Sequence, residues 1–172
     1  IELWLSLFMV VCSISFLVWV VLIRKRWKRL RDEEEGRLFI VLCLVAAVVM
    51  AFGIASSQSV DFLTALRQSW FTITSVASTT GFGTVDYTEW PSFALILIAG
   101  MMFLGGCSGS TAGGLKVSRL IVFLKTARFE VVKAFRPNQM FRMHVNGNAL
   151  GEAERAQTVV FVALYAFIVV VS

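Results

Sequence analysis

The segment "GGCSGSTAGGLK", residues 105–116, is rich in glycine and hydroxyl residues and lies inside an apolar run. The run begins at Pro91 and contains no charged residue before Lys116. An unpaired backbone group costs several kcal/mol in hydrocarbon, so such a segment persists in a membrane only where it is buried in protein or lines a water-filled path. Residues 91–104 would cover about half of a bilayer crossing as a helix, which predicts a helix broken near the membrane middle.

The composition indicates an all-α membrane protein. Of its 172 residues, 58% are hydrophobic and 16% are charged, and the mean hydropathy is +0.78, which would expose too much apolar surface in a soluble domain. Residues 3–23 and 38–55 carry no charge and are close to the roughly 20 residues that cross a bilayer as a helix. The sequence begins and ends in apolar runs without a signal-peptide pattern, so we expect a fragment of a longer polytopic protein.

The net charge of +5 is unevenly distributed and predicts the topology. The octamer "RKRWKRLR", residues 24–31, and a basic stretch at 116–136 each follow an apolar run, whereas residues 56–91 contain one basic residue, Arg67. By the positive-inside rule the basic stretches are cytoplasmic and residues 56–91 are external. A nucleic-acid-binding patch is the alternative for the octamer. Its juxtamembrane position already accounts for the charge, so we expect contact with membrane lipid and no nucleic acid, and we interpret the following "DEEEG" as a solvated loop.

Cysteine and histidine give little support for metal or redox chemistry. Cys12, Cys43 and Cys107 are odd in number, lie in apolar stretches and show no paired spacing, which favours buried small side chains over a disulfide framework or a zinc site. His144 is the only histidine. We therefore expect no metal centre built from cysteine and histidine and no catalytic site.

The external segment is predicted to begin with a short helix at about residues 59–77, capped by Ser59 or Asp61. Apolar residues recur there at spacings of three and four, but Arg67 and Gln68 make the helix too polar, and its length too short, for a full crossing. This favours a re-entrant helix that enters the membrane from outside and packs against protein. An amphipathic helix on the outer surface is the alternative.

The next stretch, "STTGFGT" at residues 78–84, has the composition of an ion filter. Glycine lets the backbone adopt conformations that other residues disfavour, so that successive carbonyls can replace the water around a cation. The carboxyl end of the preceding helix would aim its negative dipole at the same place. The order of span, short helix, glycine-containing segment and span therefore predicts a cation pathway.

Two stretches carry a resemblance to a known family, "STTGFGTVDYTEWPSF" and "GGCSGSTAGGLKVSR". At this spacing the chain resembles one membrane–pore–membrane unit of the Trk/Ktr/HKT superfamily of potassium transporters, and is most similar to the third unit of its bacterial Trk-type subunits. The resemblance implies a potassium-channel-like repeat with a re-entrant filter loop and a broken inner helix. It divides the chain into 1–36 (inner helix of the preceding unit and a basic loop), 37–136 (one complete unit) and 137–172 (a cytoplasmic linker and the start of the next outer helix). Within the complete unit the outer helix is 37–57, the pore helix 59–77, the filter 78–84 and the broken inner helix 90–136.

The resemblance also implies the site residues. Potassium, the transported ion, would be bound by the backbone carbonyls of Thr79, Thr80, Gly81 and Phe82. Gly81 matches the family's glycine, whereas Gly83 stands where relatives often carry threonine. The intramembrane loop would be a gate made of Gly105, Gly106, Cys107, Ser108, Gly109, Ser110, Thr111, Ala112, Gly113 and Gly114.

The resemblance further implies partners and a location. Four such units on one polypeptide would complete the pore, in a multi-pass protein of the cell inner membrane that forms a homodimer. A cytoplasmic nucleotide-binding regulatory subunit would dock on basic inner surfaces such as residues 125–136. Whether sodium or protons are symported with potassium stays open at this stage.

Three rival interpretations of the glycine stretch are weaker. A phosphate-binding P-loop needs lysine where Leu115 stands, and a nucleophile elbow needs glycine where Ser110 stands, so an enzyme is not expected. A structural or assembly subunit would use glycines only for close helix packing. That role explains Gly105 and Gly106, but not the hydroxyl residues that follow or the filter-like segment outside.

Overall fold

The computed structural model describes residues 1–25, 33–58, 60–135, 144–145, 148–149 and 151–171. Within these residues the chain is helical apart from short connections and one small antiparallel ladder, in which His144 pairs with Ala149. The helices are α1 (Glu2–Ser13), α2 (Phe16–Ile23), α3 (Glu34–Gln58), α4 (Phe62–Ala77), α5 (Ser92–Phe103), α6 (Val117–Phe135) and α7 (Glu152–Val171), with a 3-10 turn at Tyr87–Glu89 and the strands β1 (His144–Val145) and β2 (Asn148–Ala149).

The prediction of one continuous helix over residues 3–23 is wrong, because α1 and α2 meet at an angle of 92°. Ile14 is extended, with φ −81° and ψ 145°, and the side chain of Ser15 accepts a hydrogen bond from the N–H of Leu17 to cap α2. The hydroxyl of Ser13 bonds back to a carbonyl of α1. Serine side chains compete in this way with backbone hydrogen bonds, and here two of them end one helix and begin the next.

α3 is the long apolar helix of the described residues. Among the helices that the structure describes, only its segment Glu34–Ser57 has by itself the length and composition to cross a membrane, and the α1–α2 pair would do so as one broken span. α3 packs against α4, α5 and α6 and contributes Phe39, Cys43, Met50, Ala51 and Ile54 to the buried core. This core supports the residues that follow α4.

α4, in the place of the predicted pore helix, packs between α1 and α3. Asp61 precedes it without a capping hydrogen bond from its side chain, and Ser59 lies outside the described residues. The indole N–H of Trp70 donates to the hydroxyl of Ser6 at 3.2 Å, and half of the helix is buried. Burial on opposite sides favours a helix within a bundle over one lying on a surface.

The apolar run that starts at Pro91 is not one helix. α5 ends at Phe103, α6 begins at Val117, and the thirteen residues between them, 104–116, form a non-helical loop. α6 packs against α7, where the guanidinium of Arg119 lies 3.7 Å from the ring centre of Phe161. Both halves of the broken helix therefore pack into the buried core, and α6 also packs against α7.

Candidate functional site

α4 ends in a Schellman motif. The N–H of Thr79 donates to the carbonyl of Val76, and the N–H of Thr80 donates to the carbonyl of Ser75, both at 3.0 Å. The motif places Thr79 in the left-handed region, with φ 55°, at a position usually occupied by glycine. For an L-residue this conformation costs about 1–2 kcal/mol, so other contacts must hold it.

One such contact joins the end of α4 to the glycine-rich loop. The hydroxyl oxygen of Thr79 accepts a hydrogen bond from the N–H of Gly113 at 2.9 Å. A side chain at position 113 would lie 3.7 Å from the Thr79 methyl and hydroxyl, so the loop backbone packs directly against that side chain. Residues predicted for the filter and residues predicted for the gate are therefore in contact.

The segment after Thr79 is neither helix nor strand and is organised around Ser75. Gly81 has φ 78°, and its N–H points to the Ser75 carbonyl at 3.4 Å. The Ser75 hydroxyl donates to the carbonyl of Phe82 at 2.7 Å, and the hydroxyls of Ser78 and Thr80 lie 2.6 Å apart. Ser75 thus forms hydrogen bonds with three consecutive residues, Thr80, Gly81 and Phe82, a role that could not be predicted from the sequence.

A cavity of about 330 Å³ borders this segment. It is lined by α4, by the segment itself and by α5, through Thr72, Ser75, Val76, Thr79, Gly81, Phe82, Gly83, Tyr87, Ile98 and Met102. The predicted filter residues Thr79, Gly81 and Phe82 thus face open space on one side and α4 on the other.

A short turn follows on the way to α5. The carboxylate of Asp86 accepts hydrogen bonds from the hydroxyl of Thr88 at 2.6 Å and from its N–H at 3.0 Å. These bonds, the hydroxyl first, hold the pKa of Asp86 below its usual value. Asp86 therefore stays negatively charged at neutral pH next to Tyr87, which lines the cavity.

The two ends of the loop at 104–116 pair with each other, and this pairing of Leu104 with Leu115 is called the neck of the loop. Leu104 and Leu115 form a bridge, in which the N–H of Gly105 donates to the Leu115 carbonyl at 2.9 Å. A methyl group on Gly105 would lie 1.7 Å from the carbonyl oxygen of Gly113, and Gly114 has φ 73°. The neck therefore requires glycine at position 105 for space and at position 114 for backbone conformation.

The loop also fills the break between α1 and α2. The N–H of Cys107 donates to the carbonyl of Ser13 at 2.9 Å, and the carbonyl of Gly109 accepts from the N–H of Phe16 at 3.2 Å. The hydroxyl of Thr111 donates to the carbonyl of Cys12 at 3.2 Å. Backbone groups released by the bend and by the loop thus form hydrogen bonds with one another, as buried backbone groups require.

Two charged side chains bind backbone groups of the loop. The ammonium of Lys116 donates to the carbonyl of Ala112 and, at 3.5 Å, to that of Ser110. The carboxylate of Glu35 accepts from the N–H of Ser108 at 2.9 Å, and Glu35 is only 5% exposed. The interpretation of "DEEEG" as a solvated loop is therefore wrong for Glu35, which lies in α3 and binds a residue far along the sequence.

The structure thus brings two sets of predicted site residues together. Thr79, Thr80, Gly81 and Phe82 follow α4 directly, and all ten predicted loop residues lie in the break between α5 and α6. Among the described residues, no cluster of histidine, cysteine and acidic side chains could hold a metal ion, and the three cysteines are free thiols.

Sequence comparisons identify relatives along the whole chain. Residues 1–172 match the family model TrkH, described as a cation transport protein. Trk system potassium uptake protein TrkH of Salmonella typhimurium is 33% identical over 141 residues, which are 81% of this chain and 29% of that protein. Trk system potassium uptake protein TrkG of Escherichia coli K12 is 27% identical over 166 residues, 96% of this chain and 34% of that protein. The chain thus spans about a third of the length of these relatives.

A solved structure shares the fold. The crystal structure of the potassium transporter TrkH from Vibrio parahaemolyticus superposes with a TM-score of 0.88 at 26% sequence identity, covering 99% of this chain and 37% of that one. This similarity confirms the prediction of an all-α membrane protein, and the family match confirms the resemblance carried by the two glycine-containing stretches.

Proposed function

Because the chain belongs to the TrkH family of cation transport proteins, we propose that it is part of a transporter that takes up potassium across the cell inner membrane. Two relatives are named as potassium uptake proteins, and the chain covers 29% and 34% of their lengths. A complete pore would therefore include further membrane segments in a multi-pass protein.

The proposed ion-binding segment is the backbone of Thr79, Thr80, Gly81 and Phe82. The observation that carries this proposal is the positive φ of Gly81, 78°, in a non-helical segment that directly follows the carboxyl end of α4. Carbonyl groups there would be favoured as cation ligands by the negative end of the helix dipole. The Phe82 carbonyl already accepts a bond from Ser75, so it would contribute only its second lone pair.

The proposed gate is the loop at residues 105–114. Its contact with Thr79, through the Gly113 N–H, would put it directly beneath the filter in the path of the ion. Its hydrogen bonds are to α1, α2 and α3 as well as to itself, so it can exchange partners when those helices move.

A structural or assembly subunit is the second candidate. The approach of Gly105 to the Gly113 carbonyl, and of Gly106 to the Ser13 carbonyl, favours it, since a side chain at either position would collide with backbone. It offers no reason for the φ of Gly81, which has open space around it.

The proposed partners are a second copy of the protein, membrane lipid and a cytoplasmic nucleotide-binding regulatory subunit. α6 carries Arg128, which is exposed, and Lys125, whose ammonium pairs with Glu34. The Lys133 side chain and Arg136 lie outside the described residues. Lipid headgroups and a protein partner would both suit this basic surface, and they would respond differently to charge reversal.

The test uses the full-length protein in bacteria that lack potassium uptake. Restored growth at low potassium, with rubidium uptake as the flux measurement, is expected for the unmodified protein. Deletion of residues 108–112 is expected to give uncontrolled flux that still prefers potassium over sodium. Absence of any potassium or rubidium flux from well-expressed protein would overturn the transport proposal, and a folded deletion variant that is still regulated normally would overturn the gate.

A further inference from the structure

Glu35 stands out among the acidic residues because its carboxylate points into the protein. It is the second residue of α3, is 5% exposed, and accepts the N–H of Ser108 at 2.9 Å. Its neighbour Glu34 is different, with a side chain that is 47% exposed and paired with Lys125 of α6. Two adjacent carboxylates therefore reach two different elements, the loop and the second half of the broken helix.

The first turn of α3 also reaches the break between α1 and α2. A side chain at Gly36 would contact the Ile14 side chain at 3.8 Å. The loop is held at the same break through the Ser13 carbonyl. The loop is thus fixed on one side by backbone groups of a helix break and on the other by a charged side chain of α3.

The hydrogen bond from Ser108 to the Glu35 carboxylate and the bonds from the Lys116 ammonium join the loop to charged side chains, whereas its bonds to α1 and α2 join neutral groups. Charge-assisted hydrogen bonds are about twice as strong as bonds between neutral groups. A loop that moved away from α3 would also take the Ser108 donor from a buried carboxylate, which is costly unless the group is hydrogen-bonded elsewhere. Glu35 therefore opposes displacement of the loop at Ser108.

We propose that Glu35 is the positioning residue that holds the loop at 104–116 in its closed arrangement. The inference rests on the proposed function of this loop as the gate of a potassium pathway. Glu35 acts through Ser108 and does not contact the ion. Removal of its carboxylate shifts the loop toward an open arrangement and raises flux in the absence of any cytoplasmic partner.

The experiment measures rubidium flux per folded molecule of full-length transporter in liposomes, without a regulatory subunit. Glu35→Ala is expected to raise this flux about tenfold, the scale of losing one charge-assisted hydrogen bond. Glu35→Gln keeps an acceptor oxygen and is expected to give a smaller rise. Glu34→Gln, which removes the adjacent exposed charge, is the matched control and is expected to behave as wild type.

Deletion of residues 108–112 separates this inference from the gate proposal. If the deletion raises flux and Glu35→Ala does not, the Glu35 assignment is wrong while the gate stands. If the deletion leaves a folded protein with unchanged flux, both are wrong. In the deletion background Glu35→Ala is expected to add nothing, because the two changes remove the same contact.

A second measurement on the folded variants tests the hydrogen bond without relying on flux. Hydrogen exchange of the peptide that contains Ser108 is expected to be faster in Glu35→Ala than in wild type or Glu34→Gln. Unchanged exchange at this peptide would overturn the assignment. So would an equal rise in flux for Glu34→Gln and Glu35→Ala, since that result would point to net charge rather than to the hydrogen bond.

Discussion

Gly81→Ala is expected to reduce selectivity for potassium without a steric clash. Gly81 has φ 78°, and a methyl group added there would meet no atom within 4 Å. The cost is therefore purely conformational, about 1–2 kcal/mol for an L-residue in the left-handed region. Rotation of the peptide group between Thr80 and Gly81 would relieve this strain, but it would also turn the Thr80 carbonyl away from its original direction.

About 1.4 kcal/mol corresponds to a factor of ten in an equilibrium constant, so we expect roughly a tenfold fall in the preference for potassium over sodium. The assay is rubidium uptake by the full-length protein with sodium as competitor. Gly100→Ala is the matched control, since Gly100 lies in α5 without a positive φ and a methyl group added there would also meet no neighbouring atom within 4 Å. Wild-type flux and selectivity in Gly81→Ala would show that the conformation of Gly81 does not determine selectivity.

Three further predictions concern the loop neck, the support of the filter segment and the basic surface. Gly105→Ala would bring a methyl group to 1.7 Å from the backbone oxygen of Gly113, so a loss of about 1–3 kcal/mol of stability is expected, and an unchanged melting temperature would contradict it. Ser75→Ala removes the hydroxyl that donates to the Phe82 carbonyl at 2.7 Å, which should destabilise the conformation of the filter segment by about 1 kcal/mol. We expect lower potassium selectivity at unchanged expression, measured by rubidium and sodium uptake, and full selectivity would argue against this role of Ser75. Arg128→Glu should weaken capture of the cytoplasmic regulatory subunit and leave selectivity unchanged, whereas equal capture by mutant and wild type would favour lipid binding.

The helices and the broken inner helix could be predicted because their signals are local. A charge-free run of helical length predicts α3, and a glycine and hydroxyl stretch inside an apolar run predicts the loop at 104–116. The positive φ of Gly81 was also foreseeable, since glycine takes this conformation at little steric cost. In each case the structure of the segment follows from the properties of the residues within it.

The remaining features depend on residues far apart in the sequence. The bend at Ile14 contains no glycine or proline from which it could be predicted. It is stabilised by loop residues about 90 positions later, for example by the hydrogen bond from the N–H of Cys107 to the carbonyl of Ser13. The sequence does not distinguish Glu35 from its acidic neighbours, because its partner Ser108 lies far along the chain. Thr79 adopts a conformation that its own chemistry disfavours, because the end of α4 and Gly113 hold it there.

Anomalous diffraction from crystals of the full-length protein, grown with rubidium in place of potassium, would locate the bound ion directly. We expect an anomalous peak on the pore axis within coordination distance of the backbone carbonyls in the segment from Thr79 to Phe82, next to the cavity that borders Gly81. The peak should weaken or disappear in Gly81→Ala and persist in Gly100→Ala. Rubidium density that avoids this segment, in a protein shown to transport rubidium, would show that these carbonyls are not the ligands of the transported ion.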